Sequence, residues 1–599
     1  MLLEAIYHQP KRNWAYALDP DTIRLRLRAK KGDLTEVHAI TGDKYDWERT
    51  TQTVPLVKFA SDKRFDYFEG SVKPPFRRMK YGFQLQSGDE TLWLNENDFV
   101  DKPITGPDNL FQFPYINHVD IYSPPAWVKD TVFYQIFPER FANGDPSNDP
   151  KGTEPWGGEP RTDNFFGGDL QGVLDHLDYL SDLGINGIYF TPVFTATTNH
   201  KYDTEDYLQV DPHFGDVELL KKLVQACHDR GIRVILDAVF NHSGRTFAPF
   251  VDLLKNEEHS RYKDWFHIHS FPLEVKDGAA SYETFSFEPM MPKLNTENPE
   301  VKEYLLKVAE FWIREVGMDG WRLDVADEVD HAFWRDFRRT VKQANPEAYI
   351  LGEMWNESAE WLQGDQFDAT MNYPFTTAVV DFFVKDDVDA QNFAFSIGNQ
   401  MARYTQPATD VAFNLLDSHD VPRLLTLCQG DKRRMRLAAV FQFTYMGAPC
   451  IFYGDEIGLD GGPDPECRGC MIWEPEQQDL ELLRFYKELI AARRANPSLR
   501  SGHLNFLQAD AGSGILVFER TSEAADQSVD QEGSGTSTRQ SGAERSIILM
   551  NRSEEPQTIT VSVEGRDWKT LIGHDDFVYR NGTLETKLKP FGYLVLKEI

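Results

Sequence analysis

Eight short apolar runs, separated by helix-length stretches, constrain the fold of this chain more than any other feature. After Pro124-Pro125 the runs Val132–Phe137, Gly187–Phe190, Arg233–Val239, Gly320–Val325, Ala348–Glu353, Phe367–Met371, Ala412–Asp417 and Cys450–Gly454 read as strands. Amphipathic helices separate most of them, the mark of parallel βαβ units. Asn298 is placed to cap one such helix, Pro299 suits its first position, Val301, Leu305, Val308, Trp312 and Val316 form an apolar stripe, and Gly317 ends it. Asp216 to Gly231 reads the same way. Eight strand–helix units predict an α/β fold, a (β/α)8 TIM barrel whose chemistry sits on the loops after the strands' C-terminal ends.

At about 100–200 residues per domain, 599 residues leave room for more than this barrel. The barrel is assigned residues 123–504. Before it, Ile23-Arg-Leu-Arg-Leu-Arg-Ala29 alternates with period two, and few helical patterns occur, which predicts an N-terminal β-sandwich over 1–122. After it, Gly514–Glu519 and Ser546–Asn551 read as neighbouring strands of a C-terminal β-sandwich over 505–599. Between them, Glu523–Arg545 is rich in Ser, Gly, Gln, Asp and Glu and is expected to be a disordered surface loop. The stretch of roughly 55 residues between His242 and Asn298 is too long for a βα loop and predicts an inserted lobe, 243–297, after the third barrel strand.

Charge narrows the function. With 63 Lys and Arg against 95 Asp and Glu, the net charge of −32 opposes binding to nucleic acid or to anionic membrane surfaces. No run approaches the roughly 20 apolar residues of a membrane span. The opening MLLEAIYHQPKRNW lacks the apolar core of a secretory signal, so a cytoplasmic location is expected. The five cysteines suit a reducing compartment, and Cys467-x-x-Cys470 reads as an ordinary loop pair.

Acidic residues gather at the predicted strand ends: Asp237, Asp324, Glu353 and Asp420, with His242, Arg322 and His419 at matching heights. A single acid there could cap the next helix. Four on four strands form a polar crown, and paired carboxylates point to glycoside hydrolysis by an acid and a nucleophile. The strings DAVFNH, GWRLDVADEVDHAFWR, GEMW and LLDSHD resemble the four signature regions of the α-amylase superfamily. MPKLN at Met291–Asn295 resembles its neopullulanase, cyclomaltodextrinase and maltogenic amylase branch.

The resemblance covers nearly the whole chain and implies site roles. Asp324 would be the nucleophile, kept ionised by Arg322, and Glu353 the general acid/base, holding its proton at neutral pH beside Met354 and Trp355. Asp420 would be a third carboxylate gripping sugar hydroxyls. Asp237, His242 and His419 would contact the sugar, Tyr202 would stack on it, and Asp203 would fix the surroundings of Tyr202. Phe285, Phe287 and Trp355 are candidate stacking platforms, and Glu328 a candidate to influence whether water or sugar takes the glycosyl group. Tyr45 either reaches a partner subunit's cleft or is an aromatic of the sandwich core. Asp327 and Asn356 depart from the branch's usual Asn and His, which bears on product pattern.

The run Asn143-Gly-Asp145-Pro-Ser-Asn148-Asp149, backed by Gly167-Gly-Asp169, offers oxygen ligands suited to a structural Ca²⁺, which the branch binds here; the alternative is a turn needing no ion. The expected protein is a retaining α-glucan hydrolase. It would act on α-1,4 and some α-1,6 bonds of cyclomaltodextrins, maltooligosaccharides and pullulan, with transglycosylation, as a homodimer through its N-terminal domain. A glucan transferase such as a branching enzyme and a non-catalytic amylase-like binding protein are the alternatives.

Overall fold

The computed structural model describes residues 1–522 and 543–599. Eight parallel strands form the barrel: β1 (Phe133–Ile136), β2 (Gly187–Phe190), β3 (Arg233–Ala238), β4 (Gly320–Leu323), β5 (Tyr349–Gly352), β6 (Ala369–Thr370), β7 (Phe413–Asn414) and β8 (Ala448–Phe452). Hydrogen bonding runs in order from β1 to β6 and back from β1 through β8 to β7. A parallel bridge between Met371 and Phe413 closes the circle between β6 and β7. Every strand is buried on both faces. Phe133, Tyr189, Ile235, Tyr349, Leu351 and Phe413 fill the interior, while Tyr134, Ile188, Val234, Trp321 and Ile350 face the surrounding helices.

The ladders are shorter than the apolar runs that foretold them. Around β6 the carboxylate of Asp368 takes the Ile350 amide at 3.0 Å and pairs with Arg338 and Lys342 at 2.8 Å each, anchoring the strand through a side chain. The helices follow their punctuation. In α1 (Val217–His228) Asp216 accepts the Leu219 amide, and in α2 (Pro299–Val316) the Asn298 side chain accepts from Glu300 and Val301. All five residues of the α2 stripe are buried, and Gly317 is left-handed at φ 77°, where a side chain would be strained.

Before the barrel, nine strands from Ala15–Asp19 to Phe111–Phe113 form one bent sheet. The strand Gln52–Ser61 makes the bend by pairing with Glu36–Gly42 through its first half and with Phe65–Val72 through its second. Ile23, Leu25 and Leu27 on one layer pack with Val37, Tyr81 and Phe83 on the other. The alternating arginines between those apolar residues do not face water. Arg24 and Arg26 grip Glu69 at 2.5 and 3.1 Å, and Arg26 also donates to the Tyr404 carbonyl, so this basic face docks the sandwich on the barrel.

At the other end, sheets of five and three strands enclose a separate apolar core. Ile515–Thr521 and Arg545–Asn551 are antiparallel neighbours, as expected. The expected loop 523–545 lies, for 523–542, outside the described residues, and its last residue belongs to a strand: Arg545 pairs with Thr521 and holds Glu519. The inserted lobe contains the helix Ala248–Asn256 and returns to the barrel where Leu294 and Ser243 bond across to Asn241 and Pro292 at 2.9 and 3.1 Å. Among the described residues no helix is long and apolar enough to cross a membrane.

Candidate active site

The parallel register sets Asp237 of β3 opposite Arg322 of β4, and Asp324 and Glu353 each follow their strand by one residue. The buried Arg322 guanidinium therefore meets three carboxylates: Nη1 lies 2.8 Å from Asp324 and 3.0 Å from Asp237, and Nη2 lies 2.9 Å from Glu353. One cation among three acids leaves negative charge in excess. Burial pushes the Asp237 and Asp324 carboxyls up; the Glu353 charge adds to this, and Arg322 opposes it without prevailing. Arg322 favours the charged form of Asp324 and works there against desolvation and the neighbouring Glu353 charge.

The backbone contributes directly. Val325, a β-branched residue, sits in left-handed conformation at φ 46°, and its amide donates to Glu353 at 2.9 Å. Strain of this kind persists only where neighbours enforce it. Here it turns the amide next to Asp324 onto the carboxylate opposite.

Asp420 lies on the loop after β7, beyond the ladder. His419 and Arg468 approach it at 3.3 and 3.5 Å. His419 is fixed by Gln135 at 2.7 Å and by the Tyr202 hydroxyl at 2.6 Å, and its ring lies parallel to that of Tyr202 at 5.5 Å. Burial and the charges of Arg468 and Arg322 keep this histidine neutral. Tyr202 also reaches Asp237 at 2.9 Å, joining two sides of the crown. Asp203 accepts the Thr197 and Thr198 amides and so shapes the Tyr202 loop.

Burial, with the Glu353 charge, pushes Asp420 up to about 7. The folded protein then binds more protons than the unfolded chain between the ordinary aspartate value and about 7, so this group costs stability as pH rises through that window. Asp420→Asn is expected to remove the cost. About a quarter of the side chain is open to water, so screening reduces the effect, and a gain of about 1–2 kcal/mol is expected. Melting curves should show Asp420→Asn above the parent at pH 8 and level with it near pH 4; a variant equally or less stable at pH 8 would refute this.

The other expected contacts divide. His242 is buried, its Nε2 has no partner, and its ring stacks on half-buried Phe285 at 4.9 Å. Burial, helped by Lys293, pushes it down to about 3, so it remains neutral and offers a ring nitrogen. Phe287 is 93% exposed at the lobe tip, on left-handed backbone. Trp355 stacks on Tyr373 at 3.9 Å with 46% of its surface open, a ready platform. Glu328 meets the Lys293 ammonium at 3.1 Å. Tyr45 is 76% exposed, with Lys44 and Arg78 beside its ring, while Trp47 is the buried aromatic of that turn. Tyr45 is therefore not in the sandwich core.

Three contributors had no signal in the reading by motif: Tyr189, which donates to Asp237 at 2.6 Å, Gln135 and Arg468; Lys293 lay inside the quoted MPKLN string without a role assigned to it. Tyr189 and Gln135 could have been found as polar groups inside otherwise apolar barrel runs. Cys467 and Cys470 are unpaired and buried, and the Cys467 thiol donates to the His419 carbonyl at 3.2 Å.

In the loop considered for calcium, Asp169 accepts the amides of Gly144, Asp145 and Gly172 and the Asn148 side chain, at 2.6–3.0 Å. Its oxygens organise the loop instead of standing free. Asp145 accepts from Ser147, and Asp149 accepts from Asn143 at 2.8 Å. The buried Oδ1 atoms of Asn143 and Asn148 receive no donor. Gly167 lies so close to Asp149 and Asn143 that a Cβ would collide with both. Among the described residues no cluster of three or more His, Cys, Asp or Glu could hold an ion, so any cation here would rest largely on amide and carbonyl oxygens.

Comparison with known proteins agrees with this geometry. Residues 135–502 match the family described as alpha amylase, catalytic domain, residues 1–117 the alpha amylase N-terminal ig-like domain, and residues 504–595 the maltogenic amylase C-terminal domain. The chain is 63% identical over 521 residues to a cyclomaltodextrinase of a Bacillus species, covering 87% of this chain and 93% of that one. It is 46% identical over 605 residues to neopullulanase 2 of Thermoactinomyces vulgaris, covering 100% and 99%. A solved cyclomaltodextrinase structure superposes with a TM-score of 0.93 at 55% identity over the full length of both chains. The chain thus belongs to the α-amylase family of glycoside hydrolases, in the branch of the cyclomaltodextrinases, maltogenic amylases and neopullulanases.

Proposed function

We propose that the chain hydrolyses α-1,4 and some α-1,6 glucosidic bonds of cyclomaltodextrins, maltooligosaccharides and pullulan with net retention, and transfers some glycosyl groups to sugar acceptors. The observation that carries this is the gathering of Asp324 and Glu353 on adjacent nitrogens of one guanidinium. Retention needs the two carboxyls only about 5–5.5 Å apart, without space for an intervening water. Glu353 protonates the glycosidic oxygen while Asp324 attacks C1; water then cleaves the glycosyl ester, with Glu353 taking its proton. Asp420 and the neutral His242 and His419 hold ring hydroxyls, and Tyr202 and Trp355 offer aromatic faces. An assembled acid crown is more than a non-catalytic glycan-binding protein would need. Initial rates should be higher on β-cyclodextrin than on soluble starch, and NMR of the first product should show the α-anomer; a β-anomer would overturn the reading.

The N-terminal domain is the dimer face in this reading, supported by the exposed aromatics Tyr45, Phe76 and Tyr115. The five unpaired, buried cysteines support work inside the cell. The loop around Asn143, Asn148 and Asp149, with Asp145 at its rim and Gly167 giving close approach, is proposed to hold a structural Ca²⁺, supported by the two orphaned amide oxygens. Preferential binding to the folded state at 100 times Kd adds about 2.7 kcal/mol. Chelation is therefore expected to lower the melting temperature of the parent and leave Asn143→Ala unchanged; a parent indifferent to both chelator and added calcium would refute the ion.

A further inference from the structure

Lys201 carries a cation into the interior beside the cleft. It lies in the loop of a short hairpin, between the strands Phe194–Ala196 and Thr204–Val210 that follow β2. Its side chain is 1% exposed, and its ammonium meets the equally buried Asp211 carboxylate at 2.8 Å and the Ala196 carbonyl at 3.3 Å. Asp211 directly follows the second strand. The oxygen that meets Lys201 also accepts the Ala196 amide at 3.0 Å, while the other accepts the His213 amide at 2.9 Å and faces its ring nitrogen at 3.0 Å. The ion pair therefore ties both ends of the hairpin to the middle of its loop. The ammonium also lies 5.1 Å from the centre of the Phe214 ring. Lys201 itself has left-handed backbone at φ 63°, a region that residues with a side chain seldom enter. Its buried far end is what anchors it there.

The next residue is Tyr202. Its hydroxyl spans Asp237 at 2.9 Å and His419 at 2.6 Å, and its ring lies near-parallel to those of His200 and His419, with centroids 5.8 and 5.5 Å away. We propose that Lys201 and Asp211 are positioning residues whose ion pair aims Tyr202 at the acid crown, so that its ring meets the sugar in one fixed orientation. The inference rests on the function proposed above and assigns a role to two residues outside the crown. Without the ammonium's anchor the turn at Lys201 relaxes toward ordinary backbone angles, and the side chain that follows swings with it. A displacement of about 1 Å can cost about 10²-fold in rate. Tyr202 is placed for one sugar of the several that the cleft would bind, so misplacing it lowers turnover more than overall binding.

The test is steady-state kinetics on β-cyclodextrin. Lys201→Met and Asp211→Asn each strand one buried charge, which costs stability, whereas the double variant strands none and is the one expected to fold best. Each folded variant is expected to lose about tenfold or more in kcat, with KM within about threefold of the parent. The loss should vanish where the tyrosine is already gone: adding both changes to Tyr202→Ala should alter kcat by less than about twofold, because the pair acts through that ring. An ion pair that merely supported the fold would lower kcat by the same factor in both backgrounds. A folded double variant with the parent kcat, or an equal loss with and without Tyr202, overturns the inference. If no neutral variant folds, Asp211→Glu, which keeps both charges but moves the carboxylate, decides by the same two readings. A parent that cuts neither β-cyclodextrin nor maltotriose overturns the proposed function, and the inference with it.

Discussion

Asp324→Asn and Glu353→Gln are each expected to lower kcat on β-cyclodextrin by at least about 10³-fold while leaving the melting temperature within a few degrees of the parent. Loss of general acid/base help alone typically costs about 10²–10⁴-fold, and loss of the nucleophile removes the covalent route altogether. The fold should survive, because the backbone bonds from the Asp324 and Glu353 amides to the Ala238 and Leu323 carbonyls, at 3.0 and 2.9 Å, are unaffected by exchanging a carboxylate for an amide of the same size. An amide at either position also lessens the surplus of buried negative charge. Rates within tenfold of the parent, measured on purified variants with normal melting curves, would remove both residues from the mechanism.

Arg322→Met is expected to damage both activity and stability. It leaves Asp237, Asp324 and Glu353 without their shared cation in a buried space. Removing one partner of a buried charge network costs about 3–5 kcal/mol. The pH dependence has a definite sign. Without the guanidinium, the burial that already pushes Asp237 and Asp324 up acts unopposed. The folded variant then retains protons that the unfolded chain has released, and its stability falls as pH rises above the ordinary aspartate value. Denaturant midpoints for Arg322→Met should therefore lie furthest below the parent at pH 8 and approach it near pH 5. A constant gap across that range would show that Arg322 acts by packing and not by charge.

The parts of the molecule that could be read from sequence are those where one segment carries its own signal. The helix Pro299–Val316 announced its cap, stripe and stop, and each apolar barrel run lies on a strand that is buried on both faces. Asp237, Asp324 and Glu353 followed, because a strand's end fixes where the next side chain points. Contacts that join distant segments left no such trace. Arg468 approaches Asp420 from 48 positions away, and Lys293 reaches Asn241 from 52. The arginines of the first sandwich gave a true period of two but not its meaning, since the alternation marks a face that docks on the barrel as readily as one that meets water. Asp169 shows the reverse case: the right residue type in the right loop, with its oxygens already taken by backbone amides.

The crown of three acids around one guanidinium has a consequence for what can block this cleft. The substrate is neutral, but carbon C1 gathers positive charge as the glycosidic bond opens, and the excess of carboxylate over cation meets that charge only then. A sugar-sized ring with nitrogen in place of its ring oxygen, protonated at neutral pH, carries the same charge before any bond breaks. Such a cation gains from the crown in its resting state what a glucose ring gains only in passing, so selective inhibitors of this cleft are to be sought among basic polyhydroxylated amines and not among neutral sugar mimics.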